Sequence, residues 1–270
     1  RAASYAVTGN FSGIAAKEAR KYGAVSLAYD GTEEGFHRIP RQQELDVEPG
    51  AAYFHYCANN TIFGTAWDYV PESGGVPLVC DMSSEIMSHP VDVARYALIY
   101  AGAQKNIAPA GLTVVVLDKR LAGREREITP QVFNYKTMVD KDSMPNTPPC
   151  WCIYMLGLVL GWIEEQGGLE EMDRRRRERS AVLYEVLDNS RLYLPHAERG
   201  SRSMMNVTFR TPSAELDAEF VAGAKARGLL NVKGHRHTGG MRASIYNAMP
   251  VEGARALAEY MKEFEVEHHV

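Results

Sequence analysis

The sequence predicts an α/β protein with a largely parallel sheet, followed by a smaller α+β part. Short apolar, β-branched stretches alternate with amphipathic helical patterns through the first two-thirds of the chain. The composition is that of an ordinary globular protein, 45% hydrophobic and 24% charged over 270 residues. At Pro148 the pattern changes, and a long apolar helix followed by a charged one leads into a second set of elements.

Ala2 to Val7 reads as a strand, Ser12 to Tyr22 as a helix, Ala24 to Ala28 as a strand, and Ala52 to Cys57 as another after a polar loop. Val76 to Asp81, Tyr96 to Ala101 and Leu112 to Leu117 add three apolar stretches, each ending near polar or small residues. The run from Cys150 to Ile163 falls short of the ~20 residues a membrane-spanning helix needs. Glu164, Glu165 and Gln166 close it, so it predicts a buried helix from Pro148 to about Gln166, with Cys150 and Cys152 as core residues. Gly167-Gly168 breaks the chain before a charged helix from about Leu169 to Leu187. A strand at Ser203 to Arg210, a helix from Ala214 to Arg227, a strand at Met241 to Tyr246 and a closing helix from Val251 to Glu265 follow, with His268-His269 as a frayed tail. The first strand begins almost at Arg1, which predicts that an N-terminal portion precedes this chain.

The charge balance, 30 basic against 34 acidic residues for a net of -4, supplies no global basic field for nucleic acid or an anionic membrane. Any anion must be held by local groups. Cys57, Cys80, Cys150 and Cys152 form neither a dense framework nor a zinc-type pair, and no secretory leader is present, so the expected compartment is a reducing cytoplasm.

Ligands of open α/β sheets bind outside the carboxyl ends of the strands, where loops carry polar groups without disturbing the core. Ala101 to Gly111 places Lys105 among small residues just after a strand. Burial lowers a lysine pKa and favours the neutral amine, the form that makes Schiff bases with carbonyl cofactors. Small neighbours leave room for a planar ring, although the segment alone fits a surface lysine beside a glycine turn somewhat better. Asp81 ends another apolar strand. A carboxylate there could hold a protonated pyridine nitrogen, or it could cap a helix; its pairing with Lys105 favours the first. Thr61 follows a strand and could offer its hydroxyl to a cofactor oxygen. His55 and Cys57 lack further ligands at metal spacing, so His55 reads as a packed strand histidine and no metal is expected.

Lys233 to Arg242 is the most basic loop of an acidic chain. Arginine forks match carboxylate and phosphate geometry, so Arg236 and Arg242 with His235 suit a small, multiply anionic substrate, unless the loop is simply a solvated turn. Arg174 to Arg177 lies within a helix, where consecutive residues fan around the axis, and reads as a solvated face.

Four blocks then resemble a known family in order and spacing. Ala101 to Gly111, Asn146-Thr147-Pro148-Pro149, Lys233-Gly234-His235-Arg236 and Gly239-Gly240-Met241-Arg242-Ala243-Ser244-Ile245-Tyr246-Asn247-Ala248-Met249-Pro250 are similar to the phosphoserine aminotransferases, class-V enzymes dependent on pyridoxal phosphate. The similarity runs from about Tyr5 to the C-terminus. It implies a fold-type I aminotransferase with a mixed, mostly parallel sheet. Residues 1–175 would form the large cofactor-binding domain, lacking its N-terminal part, and 176–270 the small C-terminal α+β domain, in an obligate homodimer.

The resemblance implies that Lys105 is the Schiff-base lysine and that Asp81 pairs with the pyridine nitrogen. Thr61 would lie near the cofactor ring, Gln104 on its phosphate, and Asn146 and Thr147 on the phosphate of the neighbouring subunit's cofactor. His235, Arg236 and Arg242 would bind substrate anions, Arg242 taking the α-carboxylate. The implied reaction moves an amino group between glutamate and 3-phosphohydroxypyruvate, giving phosphoserine and 2-oxoglutarate in serine biosynthesis, with a further role in pyridoxine biosynthesis in bacteria. Two departures stand out. The family's Gly-rich phosphate loop and N-terminal His-Arg pair have no counterpart here, and Gly9-Asn10-Phe11 matches a Gly-aromatic-Trp stretch, so Phe11 replaces a stacking tryptophan with a smaller face. An alternative reading is a truncated, non-catalytic dimerisation or cofactor-binding module of the same fold. Another keeps the cofactor and changes the substrate.

Overall fold

A computed structural model describes residues 2–268, so His269 of the expected tail lies outside it. The first half of the chain runs β1 (Ala3–Val7), α1 (Asn10–Ala19), β2 (Val25–Asp30), β3 (Phe54–Cys57), β4 (Asn59–Asn60), β5 (Thr65–Ala66), β6 (Leu78–Asp81), β7 (Leu98–Gly102) and β8 (Thr113–Leu117). Then come α2 (Tyr135–Asp140), α3 (Cys150–Glu165), α4 (Gly168–Asn189), β9 (Leu194–Pro195), β10 (Asn206–Arg210), α5 (Ala214–Ala226), β11 (Met241–Ser244) and α6 (Val251–Glu267).

Six strands form one sheet in the order β2-β1-β3-β6-β7-β8. Every neighbouring pair is parallel except β7 with β8, which makes the α/β class read from alternation the observed one. Strands buried on both faces need apolar side chains at successive positions, and Phe54, His55, Tyr56 and Cys57 are all buried. Phe54, Tyr56, Leu78, Cys80 and Ile99 meet Trp67 and Tyr96 on one face. Tyr5 and Val7 meet Ala16 of α1 on the other. A three-stranded antiparallel sheet, β11-β10-β9, carries the second core. Leu183 of α4, Phe220 of α5 and Met261 of α6 close over Val207 and Phe209 of β10. Phe220 is fully buried, and truncating such a ring to alanine costs about 3–5 kcal/mol.

A buried polar seam joins the two sheets. The Asn59 amide donates to Asn206 Oδ1 over 2.8 Å and to Ser84 Oγ over 2.7 Å, while Ser203 Oγ donates back to Asn59 Oδ1. Asn206 donates in turn to Ser244 Oγ and Tyr246 Oη. The turn between β4 and β5 presses on β10 at Gly64. Its φ is +73°, and a Cβ there would sit 2.4 Å from Thr208 Oγ1 and 2.8 Å from the Asn206 carbonyl oxygen, so backbone conformation and close approach both require glycine.

Four expectations are corrected. The helix α3 is not buried: Trp151, Ile153, Tyr154 and Leu158 are exposed, whereas Cys152 and Ile163 are covered. An all-round apolar helix needs partners on every side, and the rest of this chain packs against one side. Cys150, expected in the core, is exposed at the first turn of that helix. The arginine run is not wholly solvated, because four consecutive helical residues span the whole circumference. Arg174 and Arg177 face solvent, but Arg176 is buried and holds Asp173 through Nε over 2.6 Å. His268 is also anchored, its Nδ1 lying 2.7 Å from the Phe264 carbonyl oxygen. Among the described residues no helix is long and apolar enough to cross a membrane.

Candidate active site

The carboxyl ends of β6 and β7, the β4–β5 turn, the start of α1 and strand β11 converge on Lys105. Its loop is shaped by small residues: Ala101 and Ala103 are buried, and the Ala103 carbonyl oxygen accepts from the N–H groups of both Ile107 and Ala108 in a tight turn. Asn106 pins this turn from two directions. Its side-chain amide donates to the Ile86 carbonyl oxygen over 2.6 Å, and its Oδ1 accepts from the Asn247 N–H over 2.9 Å. The lysine beside it is therefore presented by a fixed backbone.

Lys105 Nζ donates to Thr61 Oγ1 over 2.6 Å and stands 4.8 Å from the centroid of the Phe11 ring. Thr61 is buried, and Phe11, in the first turn of α1, keeps 44% of its surface exposed. Ser12 fixes that turn, its Oγ accepting from the N–H groups of Thr8 and Gly9 at 3.0 Å each. Burial lowers the Lys105 pKa; the Asp81 carboxylate opposes that shift and Arg242 adds to it. Desolvation penalises the ammonium more than one nearby carboxylate restores it, so the neutral amine is favoured relative to a free lysine.

Asp81 closes β6. Its Oδ1 accepts from the Ser83 N–H over 2.9 Å, and the Cys57 thiol lies 3.9 Å from Oδ2. Arg242 reaches across from β11, where an Nη1 donates to the Thr61 carbonyl oxygen over 3.3 Å. The 233–240 loop is a small hairpin, held by the Gly234 N–H on the Gly240 carbonyl oxygen. His235 and His237 stack within it at 4.9 Å. Burial, then the charges of His237, Arg242 and Arg236, lowers the His235 pKa; Arg236 itself is exposed.

Phe11, Thr61, Asp81, Lys105 and Arg242 are thus brought together, with His235 and Arg236 beside Arg242. Gln104 is exposed and folds over Gly102, where a Cβ would stand 2.8 Å from its Oε1. Asn146 and Thr147 lie in exposed coil, where the Asn146 amide donates to the Thr147 carbonyl oxygen. No hydrogen bond among the described residues links that pair to Lys105 or Arg242. His55 packs within β3 as a strand histidine, 2.9 Å from the Tyr100 hydroxyl. Sequence reading missed Asn59, Asn106, Asn206 and Asn247, which set the distances of this site.

Pyridoxal phosphate fits this donor set. A half-buried amine of lowered proton affinity, a hydroxyl, an open aromatic face and a carboxylate at a strand end lie together around Lys105 Nζ, which are the groups an aldehyde-bearing cationic ring calls for.

A family model described as aminotransferase class-V matches residues 5–257. The chain belongs to the class-V aminotransferases. The phosphoserine aminotransferase of Pseudomonas aeruginosa is 50% identical over 266 residues, 98% of this chain and 74% of that protein. Among solved structures, the phosphoserine aminotransferase of Bacillus circulans subsp. alkalophilus superposes with a TM-score of 0.97 at 40% identity, covering 99% of this chain and 74% of its own. The pyridoxal-phosphate-bound enzyme from Trichomonas vaginalis superposes with a TM-score of 0.91 at 34% identity, over 97% of this chain and 75% of its own. Class V is a family of pyridoxal-phosphate-dependent aminotransferases, and the α/β fold is the one its members share.

Proposed function

We propose that this aminotransferase is a phosphoserine transaminase, moving an amino group between glutamate and 3-phosphohydroxypyruvate on pyridoxal phosphate. The observation that carries the reading is the position of Lys105, 2.6 Å from the Thr61 hydroxyl and electrostatically coupled to both Asp81 and Arg242. The relatives named above support phosphoserine as the amino-acid partner of the reaction.

The cofactor, when bound, supplies an electron sink for the charge left on the substrate carbon when its α-proton departs. Lys105 Nζ is the atom that accepts and returns that proton, and its lowered affinity suits it to do both. Asp81 would hold a positive ring nitrogen through its carboxylate. Thr61 Oγ1 orients the lysine before substrate arrives. Phe11 would lie against one face of the ring. Arg242 binds the α-carboxylate, and His235 with Arg236 takes the substrate phosphate, whose doubled charge suits a basic hairpin. Gln104 is assigned to the cofactor phosphate, and Asn146 and Thr147 to the phosphate of a partner subunit's cofactor. That last pair is exposed here, which fits a role across a homodimer interface. The working division is a large unit over 1–175 and a small one over 176–270, and the assigned setting is serine biosynthesis in the cytoplasm, with pyridoxine biosynthesis as a second outlet.

Two measurements test this. Reduction with borohydride in the presence of pyridoxal phosphate, followed by peptide mass spectrometry, should give one adduct, at Lys105. Glutamate-dependent turnover should favour 3-phosphohydroxypyruvate over hydroxypyruvate. Scattered adducts would remove the site, and equal turnover of the two keto acids would remove the phosphate assignment of His235 and Arg236.

A further inference from the structure

A line of buried and partly buried polar groups behind Asp81 is not used by this chemistry. Strands β3, β6 and β7 run parallel, with Cys57 opposite Asp81 and Asp81 opposite Tyr100. Partners on adjacent strands share a sheet face, so the carboxylate and the phenol lie side by side. His55, two residues before Cys57, occupies the same face. Its Nε2 lies 2.9 Å from the Tyr100 hydroxyl, and its ring packs 4.8 Å from that of Tyr5. It is 3% exposed, and its Nδ1 has no hydrogen-bond partner among the described residues.

The unpaired Nδ1 sets the direction of the chain. A buried N–H without an acceptor forfeits a full hydrogen bond and is rare in folded proteins, whereas an unpaired lone pair is the smaller loss. The neutral ring therefore carries its proton on Nε2 and donates to the Tyr100 oxygen. This leaves the Tyr100 O–H free to donate, and the carboxylate that faces it across the strand register is Asp81. Burial holds the ring neutral, with its pKa pushed down to about 4 although Asp81 acts against the shift. Burial and the adjacent Asp81 charge push the Tyr100 phenol well above its ordinary value.

We infer that Tyr100 and His55 are positioning residues for Asp81, forming a relay in which His55 Nε2–H donates to the Tyr100 oxygen and Tyr100 O–H donates to the Asp81 carboxylate. Neither residue hydrogen-bonds Lys105, Thr61 or Arg242 among the described residues. With the Ser83 N–H already on Oδ1, the relay gives the carboxylate a second restraint from within the sheet and fixes the direction in which it meets the ring nitrogen. The inference rests on the reading of Asp81 as the partner of that nitrogen.

The test is a titration of the cofactor-free chain with pyridoxal phosphate, followed by fluorescence, in the parent, Tyr100→Phe, Asp81→Asn and the double variant. Tyr100→Phe should raise the Kd about tenfold, the loss of one hydrogen bond to a charged group. In the Asp81→Asn background the same change should have no further effect, since a cycle isolates the coupling between the two side chains. Equal effects in both backgrounds, or a Tyr100→Phe Kd within twofold of the parent beside a weakened Asp81→Asn, would overturn the relay and leave the site reading intact. A parent that takes up no cofactor, or an Asp81→Asn chain that binds like the parent, would overturn the site reading and the relay with it. A readout independent of cofactor is the imidazole nitrogen spectrum of the free chain. His55 should show the Nε2-protonated neutral ring, shifted by Tyr100→Phe; a proton on Nδ1 would overturn the relay.

Discussion

The side-chain nitrogen of Lys105 lies 2.6 Å from the Thr61 hydroxyl, although 44 positions separate them in the chain. The contact joins the loop after β7 to the β4–β5 turn, and the Thr61 carbonyl oxygen receives Arg242 from the second sheet. A single threonine therefore registers the Lys105 amine against the arginine assigned to the substrate carboxylate.

Removing that amine should stop turnover while leaving the fold. Lys105→Ala is expected to lower the single-turnover rate by about 10²–10⁴-fold, the range for loss of a positioned proton-transfer group. Far-ultraviolet circular dichroism should stay unchanged. Exogenous methylamine should restore part of the rate if the lost function is proton transfer at this position, and no rescue together with a collapsed spectrum would show a structural role instead.

The two arginines should separate by substrate. Arg242→Lys keeps the charge but loses the planar fork, so the KM for glutamate should rise by about 10–100-fold, the worth of charge-assisted hydrogen bonds. The kcat should change less. Arg236→Ala should raise the KM for the phosphorylated keto acid while leaving that for glutamate near the parent value. Steady-state kinetics with each substrate varied in turn decides the matter, and a reversed pattern would exchange the two assignments.

The elements that sequence made legible are those with a local cause. Alternating apolar stretches placed every strand of the six-stranded sheet to within about two residues, and tertiary pairing set the remaining shifts at their ends. Lys105 and Asp81 could be singled out because a charged side chain at the end of an apolar strand is locally anomalous. The asparagines that fix the site carry no such mark. Asn59 and Asn206 are 147 positions apart, and each looks like a loop or strand-edge residue until the two sheets meet. The two-residue strands β4 and β5 have no period to detect. The exposure of α3 was also hidden, because an apolar sequence announces that burial is required and not what supplies it.

Glu85 gives the stability of this chain a pH dependence of unusual sign. Burial pushes its pKa up to about 7, while Arg176 pulls the other way. A carboxyl that holds its proton more tightly when folded contributes stability that is complete below its unfolded value near 4.5 and is lost as the pH climbs through 7. His55, His89 and His196, each pushed down to about 4 by burial, act oppositely. Their contribution is present above about 6.5 and is lost on acidification. The Glu85 signal is therefore a difference. Relative to the parent, Glu85→Gln should gain up to about 3 kcal/mol between pH 4.5 and pH 8. Urea unfolding of both proteins across that range measures it, and a constant difference would show that Glu85 titrates normally.

The outer face of α3 is the surface through which the proposed homodimer would associate. Trp151 is 65% exposed, Tyr154 60% and Leu158 51%, and the first two rings already pack together at 6.0 Å. Positions 151, 154 and 158 are spaced by three and four residues and share one helical face. Clustered aromatic and aliphatic side chains of this kind mark an association surface. The coil bearing Asn146 and Thr147 leads directly into this helix, so a second copy docked on α3 would meet the same segment that the site assignment sends to a partner. Trp151→Glu with Leu158→Glu should place two charges on that face and convert a dimer to a monomer in light scattering. It should also lower cofactor affinity, because the contacts assigned to Asn146 and Thr147 would be lost. A variant that remains dimeric with unchanged affinity would move the interface elsewhere on the molecule.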